Sequence, residues 1–316
     1  MGSLLSRVLQ ALMIKKGEKM TFGDWETFEK LMETLKAEHQ KPFEMNYDKF
    51  TVNCERNDIA GMPCFILSPK EKAAGSCALF FHGGAYAMEI TPQHWQLLDK
   101  LVRLSGVTMW VPVYPLVPGS SVDDALPGVL EVYKAFCEAS ADDKRFIMGD
   151  SAGGGLAMTL AQQAAKNNLP MPSELILISP WLDLSMTNPL IEKINPADAT
   201  LDPYGLRICG EMWAGDRDIK DPIPSPLFGD LNLDCKINIF TGTRDILNGD
   251  AKALRSRMKS SAGQSHITRN RDFRTTTFCG RFPKQRKPLK RSADYCRRKN
   301  FEIYNQTLTL KDVGVF

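Results

Sequence analysis

From about residue 76 onward, short continuous apolar runs alternate with longer stretches whose apolar positions repeat at helical spacing. Cys77–Phe81, Val107–Val113, Arg145–Met148, Leu175–Ile178 and Ile237–Phe240 have the length and character of buried strands. Residues 93–105, 121–139 and 152–166 carry the helical pattern between them, and Ser121 with Asp124 three residues later forms a capping box. A helix over 249–262 and a parallel strand over Ser265–Phe273 continue the series. Strands and helices in alternation predict a parallel sheet covered by helices. Residues 183–232 interrupt the rhythm: they are rich in Pro, Asp and Asn, with a helical patch near 204–213, and read as an excursion covering the sheet. No internal repeat is present.

Near the N-terminus, Leu4, Leu5, Val8, Leu9, Leu12 and Met13 fall at helical spacing, with Arg7 inside the run. A signal peptide would carry its charge before the apolar stretch and end in small residues, so an amphipathic helix packed on the rest of the protein is expected. Met1-Gly2-Ser3-Leu4-Leu5-Ser6 also fits the short myristoylation pattern, which matches by chance too often to displace that reading. No run reaches the roughly 20 apolar residues of a membrane span.

Composition narrows the class without naming a partner. The 316 residues are 43% hydrophobic and 24% charged, with a net charge of +3, values that suit one large α/β domain or two small ones. The eight cysteines (Cys54, Cys64, Cys77, Cys137, Cys209, Cys235, Cys279 and Cys296) include no C-x-x-C pair and no metal-ligand spacing. They are expected to be reduced thiols of a cytoplasmic protein, and no metal or cofactor is expected.

Three strand ends carry chemistry. Gly149-Asp150-Ser151-Ala152-Gly153 lies between a predicted strand and a predicted helix. A tight turn there lifts the serine hydroxyl above the sheet, and the following helix aims its free N–H groups at the same spot. Outside that context the motif would be an ordinary glycine-rich turn. His82-Gly83-Gly84-Ala85-Tyr86 directly follows the strand ending at Phe81. Adjacent glycines let backbone N–H groups turn toward a developing oxyanion, and His82 reads as a loop-orienting residue, not a base. Gly242-Thr243-Arg244-Asp245-Ile246-Leu247 follows the strand ending near Thr241. A carboxylate there could orient an imidazole, although an Asp after a strand is also a common helix cap. Asp183, in Ser179-Pro-Trp-Leu-Asp-Leu, is the competing acid and ranks below Asp245.

Taken in order, these stretches resemble the hormone-sensitive-lipase-like family of esterases, and Val113-Tyr-Pro-Leu-Val-Pro118 fits that family's Tyr-Arg/Pro-Leu-Ala-Pro stretch. The likeness covers about residues 50–262. It implies an α/β-hydrolase fold, a mostly parallel eight-stranded sheet with helices on both faces and a partly N-terminal helical cap. It also implies hydrolysis of short, acetyl-type carboxylic esters through an acyl-enzyme, without cofactor. Ser151 takes the place of the nucleophile and Asp245 that of the triad acid. The N–H groups of Gly83, Gly84 and Ala152 take the place of the oxyanion hole. The family's third glycine is Ala85 here.

The histidine departs from the pattern. His39, His82 and His94 precede Ser151, whereas the hydrolase order runs Ser, Asp, His. His266 follows Asp245, but it falls near the start of the predicted strand Ser265–Phe273. Eight strand residues would put it about 25 Å from the nucleophile. The loop expected to deliver the base, Thr275–Pro283, contains no histidine.

In the same region, residues 269–299 hold twelve Lys or Arg against Asp272 and Asp294. The block admits three readings: a C-terminal segment that is not the ancestral one, as after a shifted reading frame, a solvated basic tail, or a nucleic-acid surface. No nucleic-acid partner is expected. The division is therefore cap helices over 1–50, a hydrolase core over 51–265 with the excursion 183–232, and an atypical basic segment over 266–316. Two functional classes stay open: a serine carboxylesterase, whole or impaired, acting on a small-molecule ester, and a non-catalytic small-molecule binder using the same pocket.

Overall fold

The computed structural model describes residues 25–45, 50–71, 73–198, 200–260 and 265–269. The N-terminal segment 1–16 and the basic block beyond Arg269 lie outside the described residues. The elements in chain order are α1 (Trp25–His39), β1 (Asn53–Ile59), β2 (Met62–Ser68), β3 (Ser76–Phe81), α2 (Pro92–Ser105), β4 (Thr108–Pro112) and α3 (Val122–Ala139). They continue with β5 (Lys144–Asp150), α4 (Ser151–Lys166), β6 (Glu174–Ile178), α5 (Leu190–Ile194), α6 (Pro203–Ala214), β7 (Lys236–Thr241), α7 (Asn248–Ser260) and β8 (Ser265–Arg269).

The eight strands form one sheet in the order β1-β2-β4-β3-β5-β6-β7-β8. Only β2 runs against the rest, through antiparallel ladders with β1 and β4. The mostly parallel eight-stranded sheet implied by the motifs is thus present. Strand β1, Asn-Cys-Glu-Arg-Asn-Asp-Ile, left no apolar signal because it is an edge strand with most of its residues exposed.

Strand periodicity builds two cores. On β3, Cys77, Leu79 and Phe81 face one apolar layer and Ala78 and Phe80 the other. The first layer is closed by α3, α4, α6 and α7, with Phe136, Leu156, Trp213 and Leu254 fully or nearly fully buried. The second is closed by α2, whose Trp95 and Leu98 pack with Phe65 and Phe80. Register then aligns the strand ends: Asp150, Ile178, Phe240 and Thr268 share one row across β5, β6, β7 and β8. Everything that follows that row emerges at one edge of the sheet.

Candidate active site

At that edge β5 ends at Asp150 and α4 begins at Ser151, so strand passes to helix across a single peptide bond. Ser151 adopts φ +51°, in the left-handed region, which costs an L-residue roughly 1–2 kcal/mol. The surroundings hold it there. The Trp181 N–H, from the segment after β6, donates to the Ser151 carbonyl at 2.9 Å. Gly153 lies so close to the carbonyl oxygens of Phe81 and His82 that a Cβ would collide with both, so only glycine lets α4 start beneath the β3 loop. The sequence predicts a serine lifted clear of its neighbours. Instead Ser151 is only 9% exposed, because Gly83 sits over it, at 3.0 Å from the Ser151 Cβ for a Cβ built on that glycine.

The loop after β3 carries three consecutive residues in positive φ: Gly84 (+131°), Ala85 (+56°) and Tyr86 (+58°). Its turn closes through Ala87 and Met88, whose N–H groups both donate to the Gly84 carbonyl, at 3.0 and 2.8 Å. Tyr86 stacks on Trp213 of α6 with ring centres 4.1 Å apart and planes 3° from parallel. The excursion 183–232 thereby supports this loop from outside the sheet, through a ring pair worth about 0.5–1.5 kcal/mol beyond its buried area. One expected donor is committed elsewhere. The Gly83 N–H donates to Asp150 Oδ1 at 2.9 Å, so it is engaged there instead of being free for an oxyanion, and it ties the loop to the turn at Ser151. Gly84 and Ala152 remain, the latter in the first turn of α4, where helix N–H groups have no partner within the helix.

His82 is fully buried and its Nδ1–H donates to the Gly83 carbonyl at 2.9 Å. Its ring stacks on Tyr114 at 4.5 Å, and the Tyr114 hydroxyl donates to the His82 carbonyl at 2.6 Å. Burial, reinforced by nearby His94, lowers its pKa to about 4, so the ring is neutral around pH 7. His94 also reaches this turn, a residue that no motif singles out. Its Nε2 lies 3.3 Å from Asp150 Oδ2, with both side chains almost wholly buried.

Asp245 follows β7 and is fully buried. Its Oδ1 accepts the Leu247 N–H at 2.8 Å, and the Ile246 N–H beside it donates to Asp198 Oδ2 at 2.9 Å. The competing Asp183 is also buried, and its Oδ1 accepts both the N–H and the hydroxyl of Ser185 at 2.9 and 2.5 Å. Asp250 joins them: its Oδ2 accepts the N–H groups of Leu182 and Asp183.

Strand β8 settles where the last histidine sits. His266 shares a row with Asn238, Ile176 and Met148, two residues below Thr268. Three residues of rise and three strand spacings separate its backbone from Ser151, about 10 Å along the sheet and about 14 Å across it. That is less than the 25 Å expected, because the register of β8 on β7 sets His266 only two residues below the row of Asp150. The two backbone positions are thus about 17 Å apart.

A cavity of 1040 Å³ is lined among others by His39, Phe43, Met62, Glu89, Tyr114 and Leu126; neither Ser151 nor Asp245 lines it. Among the described residues no group of three or more His, Cys, Asp or Glu is arranged to hold a metal ion. No helix among them is long and apolar enough to cross a membrane.

Comparison with known proteins follows the same lines. A family model described as an alpha/beta hydrolase fold matches residues 78–272. An esterase of Acinetobacter venetianus is 30% identical over 202 residues, which cover 63% of this chain and 66% of that protein. An acetyl-hydrolase of Streptomyces hygroscopicus is 30% identical over 181 residues, 57% of this chain and 60% of that one. A triacylglycerol lipase of Mycobacterium tuberculosis is 29% identical over 195 residues, 61% of this chain and 40% of that one. The chain thus spans between 40% and 66% of the length of these curated relatives. Among solved structures, a hormone-sensitive lipase from a metagenome library superposes with a TM-score of 0.69 at 26% identity, covering 83% of this chain and 86% of that one.

Proposed function

This chain belongs to the α/β-hydrolase fold family, in its hormone-sensitive-lipase-like branch, and from that premise we propose that it is a serine carboxylesterase for short acyl groups. Ser151 Oγ attacks the ester carbonyl carbon, and the N–H groups of Gly84 and Ala152 receive the negative oxygen. The bond to the alcohol oxygen breaks, the alcohol leaves with a proton, and water then cleaves the acyl–Ser151 ester to release the acid and restore the hydroxyl. Asp245 holds the place of the carboxylate that would orient a base. The observation carrying this reading is the strained, left-handed Ser151 held at a strand–helix junction under a glycine loop. A short acyl group suits a serine that is 9% exposed and roofed by Gly83, and the Streptomyces relative is named an acetyl-hydrolase.

The substrate partner is a small ester; no nucleic acid, metal or cofactor enters the reaction. The six cysteines among the described residues lie outside any disulfide, which supports a cytoplasmic setting. Turnover of p-nitrophenyl esters of increasing acyl length tests the reading, with acetate and butyrate expected ahead of longer chains and all of it lost in Ser151→Ala. A rate unchanged in Ser151→Ala would overturn it.

One observation favours a second reading. With His266 on the row of Asn238, the Ser–Asp pair has no imidazole within reach among the described strands. A non-catalytic binder of the same small molecules would tolerate this. Fluorophosphonate labelling separates the two, since an esterase site is labelled at Ser151 and a pure binder is not.

A further inference from the structure

We propose that His94 is the positioning residue of the nucleophile turn, an inference that rests on reading Ser151 as the nucleophile. Helix α2 opens with Thr91 as its N-cap and His94 as its third helical residue. In a capping box that position is usually Glu or Gln, which reaches back to the N-cap N–H. Here His94 Nδ1 accepts the Thr91 N–H at 3.0 Å while Thr91 Oγ1 accepts the His94 N–H at 3.3 Å. A backbone N–H can only donate, so Nδ1 carries no proton and the ring proton sits on Nε2. That Nε2–H points at Asp150 Oδ2, 3.3 Å away, between side chains only 4% and 6% exposed. The other oxygen of the same carboxylate accepts the Gly83 N–H. One buried carboxylate, directly before Ser151, is therefore held by the cap of α2 on one side and holds the oxyanion loop on the other.

The residue type follows from this double duty. The position needs an acceptor toward Thr91 and a donor toward Asp150. Glutamate completes the cap but sets a second carboxylate against Asp150 inside the protein, where like charges are costly. Leucine fills the space and does neither. Glutamine offers an amide oxygen for the cap and an amide N–H for Asp150, and is the substitution that keeps both contacts. The remaining ring neighbours, Phe80 and neutral His82, lie with centroids 6.3 and 6.1 Å away.

The test uses phenylboronic acid, which forms a tetrahedral adduct on a reactive serine and draws on the oxyanion donors, followed by tryptophan fluorescence. Misplacing the loop by a fraction of an ångström is expected to raise Kd about tenfold or more in His94→Leu and at least as much in His94→Glu. His94→Gln should stay within about threefold of the parent. Parent-like binding by Leu and Glu, or a loss in Gln equal to that in Leu, overturns the proposal. Ser151→Ala is the separate control: if it binds like the parent, or the parent does not bind, the assignment of Ser151 fails instead. Imidazole ¹⁵N spectra of the parent decide the point even where a variant does not fold. His94 is expected as the Nε2-protonated tautomer, perturbed in Asp150→Asn, and an Nδ1-protonated ring sinks the inference.

Discussion

Asp250 accepts the backbone N–H of Asp183 at 3.1 Å, stitching α7 to the segment that follows β6. The preceding N–H, of Leu182, reaches the same carboxylate oxygen at 3.2 Å, and Trp181 just before it donates to the Ser151 carbonyl. A single stretch of backbone, 181–183, thus joins the helix after the acid loop to the nucleophile turn. The two ends of the candidate site are fixed to each other through main chain, and the arrangement places Asp183, Asp245 and Asp250 in one buried region.

That crowding has a consequence for stability. Burial first, then the charge of Asp183, raises the Asp250 pKa from 3.8 to about 7, against the lowering effect of the two N–H bonds. Between those values the unfolded carboxyl is ionised while the folded one keeps its proton. Stability is therefore greatest below pH 3.8 as far as this group is concerned, and falls as pH rises toward 7. Asp250→Asn retains an acceptor for both N–H groups without a titrating proton. Its melting temperature, taken relative to the parent, should be several degrees more favourable at pH 8 than at pH 5. A difference independent of pH would show that Asp250 is ionised throughout.

Ser151→Ala is expected to abolish esterase activity and leave the melting temperature within a few degrees of the parent. The same position offers a sharper check through its φ of +51°. Alanine inherits the strain, whereas glycine does not, so Ser151→Gly should unfold higher than Ser151→Ala by about 1 kcal/mol despite glycine's greater chain entropy. If glycine is the less stable of the two, the turn is not strained.

The two acids separate by kinetics. Asp245→Asn should cost much of any kcat, because Asp245 opens the loop after β7, whose neighbour in the sheet is β8, the strand before the expected histidine loop. Asp183→Asn should cost far less, since Asp183 Oδ1 is occupied by Ser185. The reverse order in kcat would make Asp183 the triad acid.

What was legible in the sequence was local or periodic. The strand before Gly149 and the helix after Ser151 frame a motif that needs no distant partner, so the strand-to-helix turn at Ser151 could be placed to the residue. Asp245 stands out in the sequence because it closely follows an apolar strand. His94 was not, because its partner Asp150 is 56 residues away and a histidine in the Glu/Gln position of a capping box looks like an ordinary surface residue. The partner of the Gly83 N–H was not legible for a related reason: two adjacent glycines announce free backbone N–H groups but not where each one points. The polar strand β1 gave no alternation to detect, and the extent of β8 depended on register with β7, which no single-strand pattern contains.

The last prediction concerns the missing base. Ser151 Oγ stays protonated unless a group takes its proton, and a protonated hydroxyl attacks an ester poorly. Of the four histidines, His39 ends α1 and lines a cavity that Ser151 does not, and His82 donates within its own loop with its pKa lowered to about 4. His94 is committed to Thr91 and Asp150, and His266 lies on the row of Asn238. Losing the histidine of a serine protease costs on the order of 10⁶ in kcat, with about 10³–10⁴ over water remaining from the oxyanion hole and binding. The chain should accordingly bind short esters and turn them over slowly, and His266→Ala should change the rate by less than about twofold, since it removes no group near Ser151. Replacing residues from 266 onward with the matching segment of an active relative should raise kcat by several orders of magnitude, because Ser151, Asp245 and the loop carrying Gly84 are already in place. A fast esterase in the unaltered chain, silenced by His266→Ala, would mean that β8 delivers its histidine to Ser151 after all.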